Sequence, residues 1–122
     1  MAHRASTHPY ASVRFISKVL DPDDVTRTIW LRPDHVNHKA GLWSFSSEGC
    51  VNVPELNEHL NWLLRLLEFR KEAVATLLAQ GVRAELLCYS RGSTVRKPSL
   101  SREIRRRAAA LGIAIGIDHS QQ

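Results

Sequence analysis

Hydrophobic and polar residues alternate in four segments of the chain, which cover residues 10–20, 42–47, 82–89 and 113–117. Alternation with a period of two is typical of a strand that buries one face and leaves the other to solvent. We therefore predict four strands. The positions predicted to face the core are Val13, Phe15, Val19, Trp43, Phe45, Val82, Ala84, Leu86, Cys88, Ile113, Ile115 and Ile117.

Helical segments separate these strands. The first is predicted to begin at Asp21, as a cap, with Pro22 in its first turn, and to end near Ile29 or Trp30. The longest, residues 54–80, carries leucines at steps of three and four and stops at Gly81. The sequence leaves open whether this helix is continuous or splits near residues 68–71.

A last helix is predicted from the cap Ser101 to Gly112, with Ile104, Ala108 and Leu111 facing inward. The strands and helices thus alternate along the chain, and the strands are apolar on one side only. A sheet covered by helices on both faces would show strands that are apolar on both sides. We therefore predict an α+β fold, a two-layer sandwich whose mixed or antiparallel sheet has about four strands and carries its helices on one face.

The chain has 122 residues, of which 43% are hydrophobic and 24% are charged, as in ordinary globular proteins. We predict one domain over residues 10–119, with tails at 1–9 and 120–122. No apolar run reaches the length of a membrane span, and residues 1–9 contain no apolar signal segment. Cys50 and Cys88 do not form a CxxC pair. These features predict a cytoplasmic protein with no membrane partner.

Positive charge is concentrated in residues 91–107. The chain carries a net charge of +5, and this segment alone has seven basic residues against one acidic residue. Arg102 and Arg106 are spaced four apart on the predicted helix, and Arg91 and Arg96 precede it in a loop. Such a cluster predicts a site for an anion or a nucleic acid. The loop lacks interleaved aromatic residues, so nucleic acid is the less favoured partner.

Motifs that would support catalysis or metal binding are weak. His35 and His38 are spaced as a local pair beside Asp34, but a closed zinc site needs four ligands. The carboxylates that follow Leu20 are explained by helix capping. The chain contains neither a nucleophile elbow nor a phosphate-binding loop. We therefore expect no cofactor and no metal, and a small-molecule enzyme is the third hypothesis for function.

The outer face of the predicted sheet is less polar than a solvated face usually is. It carries Ser44, Ser46, Leu87 and Tyr89. The same parity places there Ile16, Leu20, Ala114 and Gly116. A protein partner, a second copy of the chain or a ligand would cover such a face, unless the loop at 32–41 or 90–99 folds over it.

Several motifs occur together in a fixed order. They are Leu20-Asp21-Pro22-Asp23-Asp24-Val25-Thr26, Gly41-Leu42-Trp43-Ser44-Phe45-Ser46-Ser47, His59-Leu60-Asn61-Trp62-Leu63-Leu64, Leu87-Cys88-Tyr89, Leu100-Ser101-Arg102-Glu103-Ile104, Ala110-Leu111-Gly112 and Ile117-Asp118. In this set the chain resembles the bacterial domain of unknown function 4279 family, over roughly residues 10–119. The resemblance implies a small intracellular α+β protein and no established activity. The chain departs from the family at Asp118-His119-Ser120, where members often end this strand with an aromatic residue.

The leading hypothesis is a non-enzymatic binding or protein-interaction domain whose partner is an unknown protein or a second copy. An immunity-like role, in which a small domain neutralises a toxin, belongs to this class by analogy of fold. Trp62, at the edge of the leucine stripe, is either packed there or an anchor for a partner. The predicted binding residues are Ser44, Ser46, Leu87, Tyr89, Arg91, Arg96, Arg102 and Arg106.

Overall fold

A computed structural model describes residues 9–90 and 100–119 of the chain. Within these residues five strands and four helices follow one another along the sequence. They are β1 (Tyr10–Ile16), α1 (Pro22–Ile29), β2 (His35–Asn37), β3 (Leu42–Ser46), α2 (Leu56–Phe69), α3 (Lys71–Ala79), β4 (Arg83–Ser90), α4 (Arg102–Leu111) and β5 (Ala114–His119). The fold is α+β, as predicted.

The five strands form one mixed sheet in the order β2-β3-β1-β4-β5. β1 lies in the centre and pairs antiparallel with both β3 and β4, while β5 joins β4 in parallel through the crossover helix α4. The sheet has five strands, one more than the four that were predicted. The additional strand, β2, lies inside the segment 32–41 that was predicted to be a loop, and it pairs with β3 at the edge of the sheet.

The helices cover the face of the sheet that bears the predicted inward positions. Val13, Phe15, Trp43 and Leu86 are fully buried there. The leucines of α2 pack onto them from above, and Leu60, Leu63, Leu64 and Leu67 are the ones that lose all solvent exposure. The indole N–H of Trp43 donates to the Thr26 hydroxyl at 2.9 Å, which attaches β3 to α1.

The long helical segment is two helices. α2 begins at Leu56, with Glu55 at its cap, and ends at Phe69, and α3 begins at Lys71. Arg70, between them, leaves the helical region of backbone conformation. The break therefore lies in the segment 68–71 that the sequence left open, and α3 beyond it contacts α1 and β4.

The caps predicted from the sequence are confirmed. The Asp21 carboxylate accepts a hydrogen bond from the Asp23 N–H at 2.8 Å. The Ser101 hydroxyl accepts one from the Ile104 N–H at 3.1 Å. Each side chain thus satisfies a backbone donor that has no partner inside its helix.

The first strand is shorter than predicted. β1 ends at Ile16, where the Ser17 hydroxyl accepts hydrogen bonds from the N–H groups of Val19 and Leu20 and turns the chain. Val19 is 87% exposed, whereas Leu20 packs against the core. The prediction that Val19 faces inward, and that Leu20 lies on the outer face, is therefore wrong. A serine-based turn ends the alternation before it reaches these residues.

At the other end of the sheet, β5 is an edge strand, so its inward face is only partly covered. Ile113 is buried, but Ile117 remains 39% exposed. The two thiols differ in exposure, because Cys50 is exposed in a turn and Cys88 is buried in β4. Burial raises the pKa of Cys88 to about 11. None of the helices that the structure describes is long and apolar enough to span a bilayer.

Candidate functional site

The outer sheet face brings together four of the predicted binding residues. Ser46 lies opposite Ser12, and Ser44 opposite Arg14, in the pairing of β3 with β1. On the other side of β1, Leu87 lies opposite Ser12. Ser44, Ser46 and Leu87 are partly exposed. The strand parity therefore placed these side chains on the correct face.

The same face is partly occupied by contacts within the chain. Tyr89 stacks on Tyr10, with ring centroids 4.6 Å apart and an interplanar angle of 18°. Two rows along the same face, beyond Ser12 and Leu87, the Arg14 guanidinium donates to the Glu85 carboxylate at 3.0 Å. The aromatic stack and the ion pair lie on either side of the Ser12–Leu87 row, and the ion pair separates Leu87 from Ile16, so the apolar patch that the sequence predicted is interrupted.

The two described basic residues of the predicted surface, Arg102 and Arg106, lie elsewhere. Arg102 and Arg106 are exposed on α4, which packs against α2 in the helical layer, on the opposite side of the sheet from Ser44 and Tyr89. Arg91 and Arg96 lie outside the described residues. Among the described residues, the structure thus places Arg102 and Arg106 apart from Ser44, Ser46, Leu87 and Tyr89.

Two of the arginines on α4 are engaged by carboxylates. Arg106 donates to Glu103 at 2.7 Å, and this hydrogen bond raises the pKa of Arg106. Arg107 donates to both carboxylate oxygens of Glu68 at 2.8 Å and to the Asn61 side chain at 2.7 Å. These ion pairs offset part of the positive charge that made an anion site attractive.

A serine and a histidine are in contact, but they are buried. The Ser47 hydroxyl lies 2.6 Å from His59 Nδ1, and His59 Nε2 lies 2.7 Å from the Val53 carbonyl oxygen. Since a carbonyl only accepts, Nε2 carries the proton and donates, which leaves Nδ1 to accept from Ser47. Ser47 is fully buried, and its oxygen also accepts from the Ala11 N–H at 3.1 Å. This pair fastens β3 to β1 and α2 and offers no accessible nucleophile.

The histidines of the loop do not act as a pair. His35 lies in β2 opposite Ser44. His38 lies instead near the start of α1, with Nε2 at 3.7 Å from Asp21 Oδ1 and 3.4 Å from Asp23 Oδ1. All three side chains of this group are exposed. Asp21 already caps α1, and His38 lies within hydrogen-bond distance of Asp23, so helix capping and this contact account for the cluster.

The most exposed aromatic side chains of the described residues lie in the helical layer. Trp30, at the end of α1, is 81% exposed, and Phe69, at the end of α2, is 86% exposed. Both line one groove of about 630 Å³ between α1 and the break that separates α2 from α3. We call Trp30, Phe69 and the groove between them the aromatic surface.

Arg70 lines the groove of the aromatic surface and forms hydrogen bonds to both helix ends beside it. Its Nε donates to the Ile29 carbonyl at 2.9 Å and its Nη1 to the Leu66 carbonyl at 3.1 Å. The guanidinium carbon lies 5.7 Å from the centre of the Phe69 ring. A cation at the carboxyl ends of two helices interacts favourably with both helix dipoles. Arg70 therefore holds the two helix ends, and the aromatic residues on them, in one arrangement.

The aromatic surface continues on both sides. Trp30 also lines a groove with Leu31 and Pro33, and Phe69 lines another with Trp62 and Leu66. Trp62 itself stacks on Phe45 at 5.9 Å and is partly buried, so it packs at the edge of the leucine stripe.

Sequence reasoning missed the aromatic surface, although one signal for it was present. Phe69 comes two residues after the buried Leu67, which places it about 200° away around the helix, on the polar side. The meeting of Phe69 with Trp30 depends on the packing of α1 against α3, which the periodicity of either helix alone does not reveal.

Comparison with known proteins identifies a family and nothing closer. No curated protein and no solved structure matches the chain. A family model described as "Domain of unknown function (DUF4279)" matches residues 6–122, which is nearly the whole chain. This match confirms the resemblance drawn from the ordered motifs, and the chain therefore belongs to the DUF4279 family.

Proposed function

We propose that this chain is a non-enzymatic protein-interaction domain that binds its partner through the aromatic surface. The observation that carries the proposal is that Trp30 and Phe69, each more than 80% exposed, line the same groove. Large aromatic side chains are enriched in the energetic centres of protein interfaces. Burial of such a side chain stabilises by about 1.5–3 kcal/mol, and here that free energy is available to a partner and not to the fold.

The backbone at Trp30 supports the same reading. Trp30 ends α1 in the left-handed conformation, with φ 62° and ψ 41°. Glycine or asparagine usually occupies this position, and other residues cost roughly 1–2 kcal/mol there. Tryptophan at this place contributes neither burial nor backbone preference to folding. A role in binding gives the residue a reason to be there.

Hydrogen bonds within this chain already join the two helix ends that carry Trp30 and Phe69. Arg70 joins the carbonyl groups of Ile29 and Leu66, so the two helix ends do not have to be ordered when a partner arrives. Preorganisation of this kind lowers the entropic cost of association.

The other hypotheses have less support. The outer sheet face around Ser44 and Tyr89 is partly filled by the Tyr10–Tyr89 stack. In the basic segment, Arg107 forms an ion pair with Glu68, which offsets part of the positive charge. An enzyme of the serine–histidine type would need Ser47 to be accessible, and it is fully buried. A toxin is one class of partner that a protein-interaction domain would serve, as in the immunity-like role.

The proposal is tested with a random 12-residue peptide library displayed on phage and selected on the wild-type protein. The selected peptides are then bound to W30S/F69S and to V19S. Val19 is 87% exposed and lines none of the three grooves beside Trp30 and Phe69, so V19S is a matched control for loss of an exposed apolar side chain.

We expect at least about a tenfold loss of affinity with W30S/F69S and none with V19S, because truncated interface anchors commonly cost that much. The far-ultraviolet circular dichroism of W30S/F69S should match the wild type, since both replaced side chains are exposed. Equal affinity for wild type and W30S/F69S, or no enrichment of any peptide, would contradict the proposal.

A further inference from the structure

We infer that the partner segment pairs an apolar anchor, seated between Trp30 and Phe69, with an aspartate or glutamate side chain that binds Arg70. This inference rests on the proposed function and specifies the chemistry of the partner. It comes from the hydrogen-bonding capacity of Arg70, from the charges around the groove and from the distance between Arg70 and Phe69.

Arg70 has N–H donors that form no hydrogen bond with the described residues. A guanidinium carries five N–H donors, and Arg70 uses one at Nε and one at Nη1 on backbone carbonyl oxygens. Among the described residues no hydrogen bond involves its Nη2, and no carboxylate lies within ion-pair distance of it. Arg70 also lines both the groove shared by Trp30 and Phe69 and the neighbouring groove beside Trp62. A carboxylate in these grooves would complete the hydrogen bonding of the guanidinium.

The charges beside Arg70 favour the same ligand. Arg65 and Lys71 are exposed next to it, in the neighbouring groove and in the shared groove respectively. Of the two acidic residues in the shared groove, Glu68 is engaged by Arg107, which leaves Glu72 as the opposing charge. The aromatic surface is therefore positive on balance, and an acidic segment would be steered towards it.

The distance between charge and ring limits the partner further. The guanidinium carbon of Arg70 lies 5.7 Å from the centre of the Phe69 ring. Side chains three or four residues apart on a helix are separated by about 5–6 Å. An apolar residue with an acidic residue three or four positions away on one helical face would thus reach both groups together. We therefore expect an amphipathic, acidic helix as the partner segment.

The test uses the selected phage peptides, synthesised with amidated C-termini, together with variants in which aspartate and glutamate are replaced by asparagine and glutamine. Affinities are measured for the wild type, for R65E/K71E and for the control K18E/K39E. Lys18 and Lys39 are exposed and line none of the three grooves beside Trp30 and Phe69. Both double variants replace two basic residues with glutamate, so they change the net charge equally. Charge reversal at Arg65 and Lys71 leaves the helix-joining role of Arg70 intact.

We expect the acidic peptides to bind the wild type about tenfold more tightly than their amide variants, because hydrogen bonds to charged groups are the stronger ones. R65E/K71E should lose affinity and K18E/K39E should not. Peptides that depend on Trp30 and Phe69 but show no preference for acidic side chains would overturn this inference and leave the proposed function standing.

Three other results would also overturn it. Binding that needs a free peptide C-terminus would assign Arg70 to a terminal carboxylate instead of a side chain. Peptides indifferent to W30S/F69S would overturn both the inference and the proposed function. A wild-type dimer in sedimentation that W30S/F69S converts to a monomer would make a second copy of this chain the occupant.

Discussion

Arg107 and Glu68 form a two-pronged ion pair that joins α4 to α2. Nε and Nη2 of Arg107 each lie 2.8 Å from a different oxygen of Glu68, and Nη1 donates to Asn61. The hydrogen bond from Arg107 holds the pKa of Glu68 below its ordinary value. Because α4 also carries the chain from β4 to β5, this pair anchors the crossover to the helical layer.

The first prediction concerns the shape of this pair. R107K keeps the charge but loses the planar fork, so we expect it to destabilise the fold by about 1 kcal/mol, and R107A by about 1–2 kcal/mol. Urea unfolding at neutral pH measures both. R106A is the matched control, since Arg106 pairs with Glu103 on the exposed side of the same helix, and its unfolding midpoint should not move. An equal effect at Arg106 and Arg107 would contradict the role given to the fork.

The second prediction is a pH dependence. Since the pKa of Glu68 is lowered in the folded state, its contribution to stability is present above its ordinary value of 4.5 and is lost as the pH falls through the lowered value. The difference in unfolding free energy between wild type and E68Q should be largest near neutral pH. The difference should shrink as the pH falls below 4.5 and the folded-state carboxylate becomes protonated. Urea midpoints across this range measure it, and a difference independent of pH would count against the assignment.

The third prediction concerns the buried Ser47–His59 contact. S47A removes the hydroxyl oxygen and leaves two buried groups without this hydrogen-bond partner, the N–H of Ala11 and Nδ1 of His59. We expect a loss of about 2–4 kcal/mol in unfolding free energy, because each unsatisfied group costs about 1–3 kcal/mol. S44A, on the partly exposed outer face, serves as the control and should change stability by less than about 0.5 kcal/mol. Similar effects from the two variants would refute a structural role for the pair.

The fourth prediction separates a steric clash from backbone strain. Gly41 has φ +68°, and a Cβ added there would lie 1.8 Å from the Ser17 carbonyl oxygen. Gly49 has φ +86° with no atom within 4 Å of such a Cβ. We expect G49A to cost roughly 1 kcal/mol from the left-handed backbone alone. G41A should cost at least about 3 kcal/mol, since the backbone at Ser17, directly after β1, has to move. Equal midpoints in thermal unfolding would show that no clash occurs.

Strand parity and capping residues predicted much of this fold. Trp43 and Leu86 were assigned to the core by alternation alone, and Asp21 was assigned as a cap by residue type. Strand β2 was not predicted because it has only three residues, of which Val36 alone is apolar, so it shows no alternation of hydrophobic and polar positions. Its conformation comes from pairing with β3 at the sheet edge, which is a tertiary effect.

The candidate site was less accessible to sequence reasoning. Parity placed Ser44 and Leu87 on the outer face, where the structure has them, and their part in binding stays a prediction. The aromatic surface combines Trp30 and Phe69, which are 39 positions apart in sequence. Arg70 forms hydrogen bonds to the two helix ends beside them. No local pattern encodes such a meeting.

The central position of β1 has a consequence for synthesis on the ribosome. A nascent chain that has emerged only as far as Ser46 already contains β1, β3 and β2, which are neighbours in the sheet. The other edge of β1 has no partner strand until β4, whose first residue is Arg83, has emerged. Until then the chain presents an unpaired strand that is apolar on one side, the type of edge that invites misassembly. Stalled or truncated chains that end before Arg83 should therefore be the ones that need chaperones.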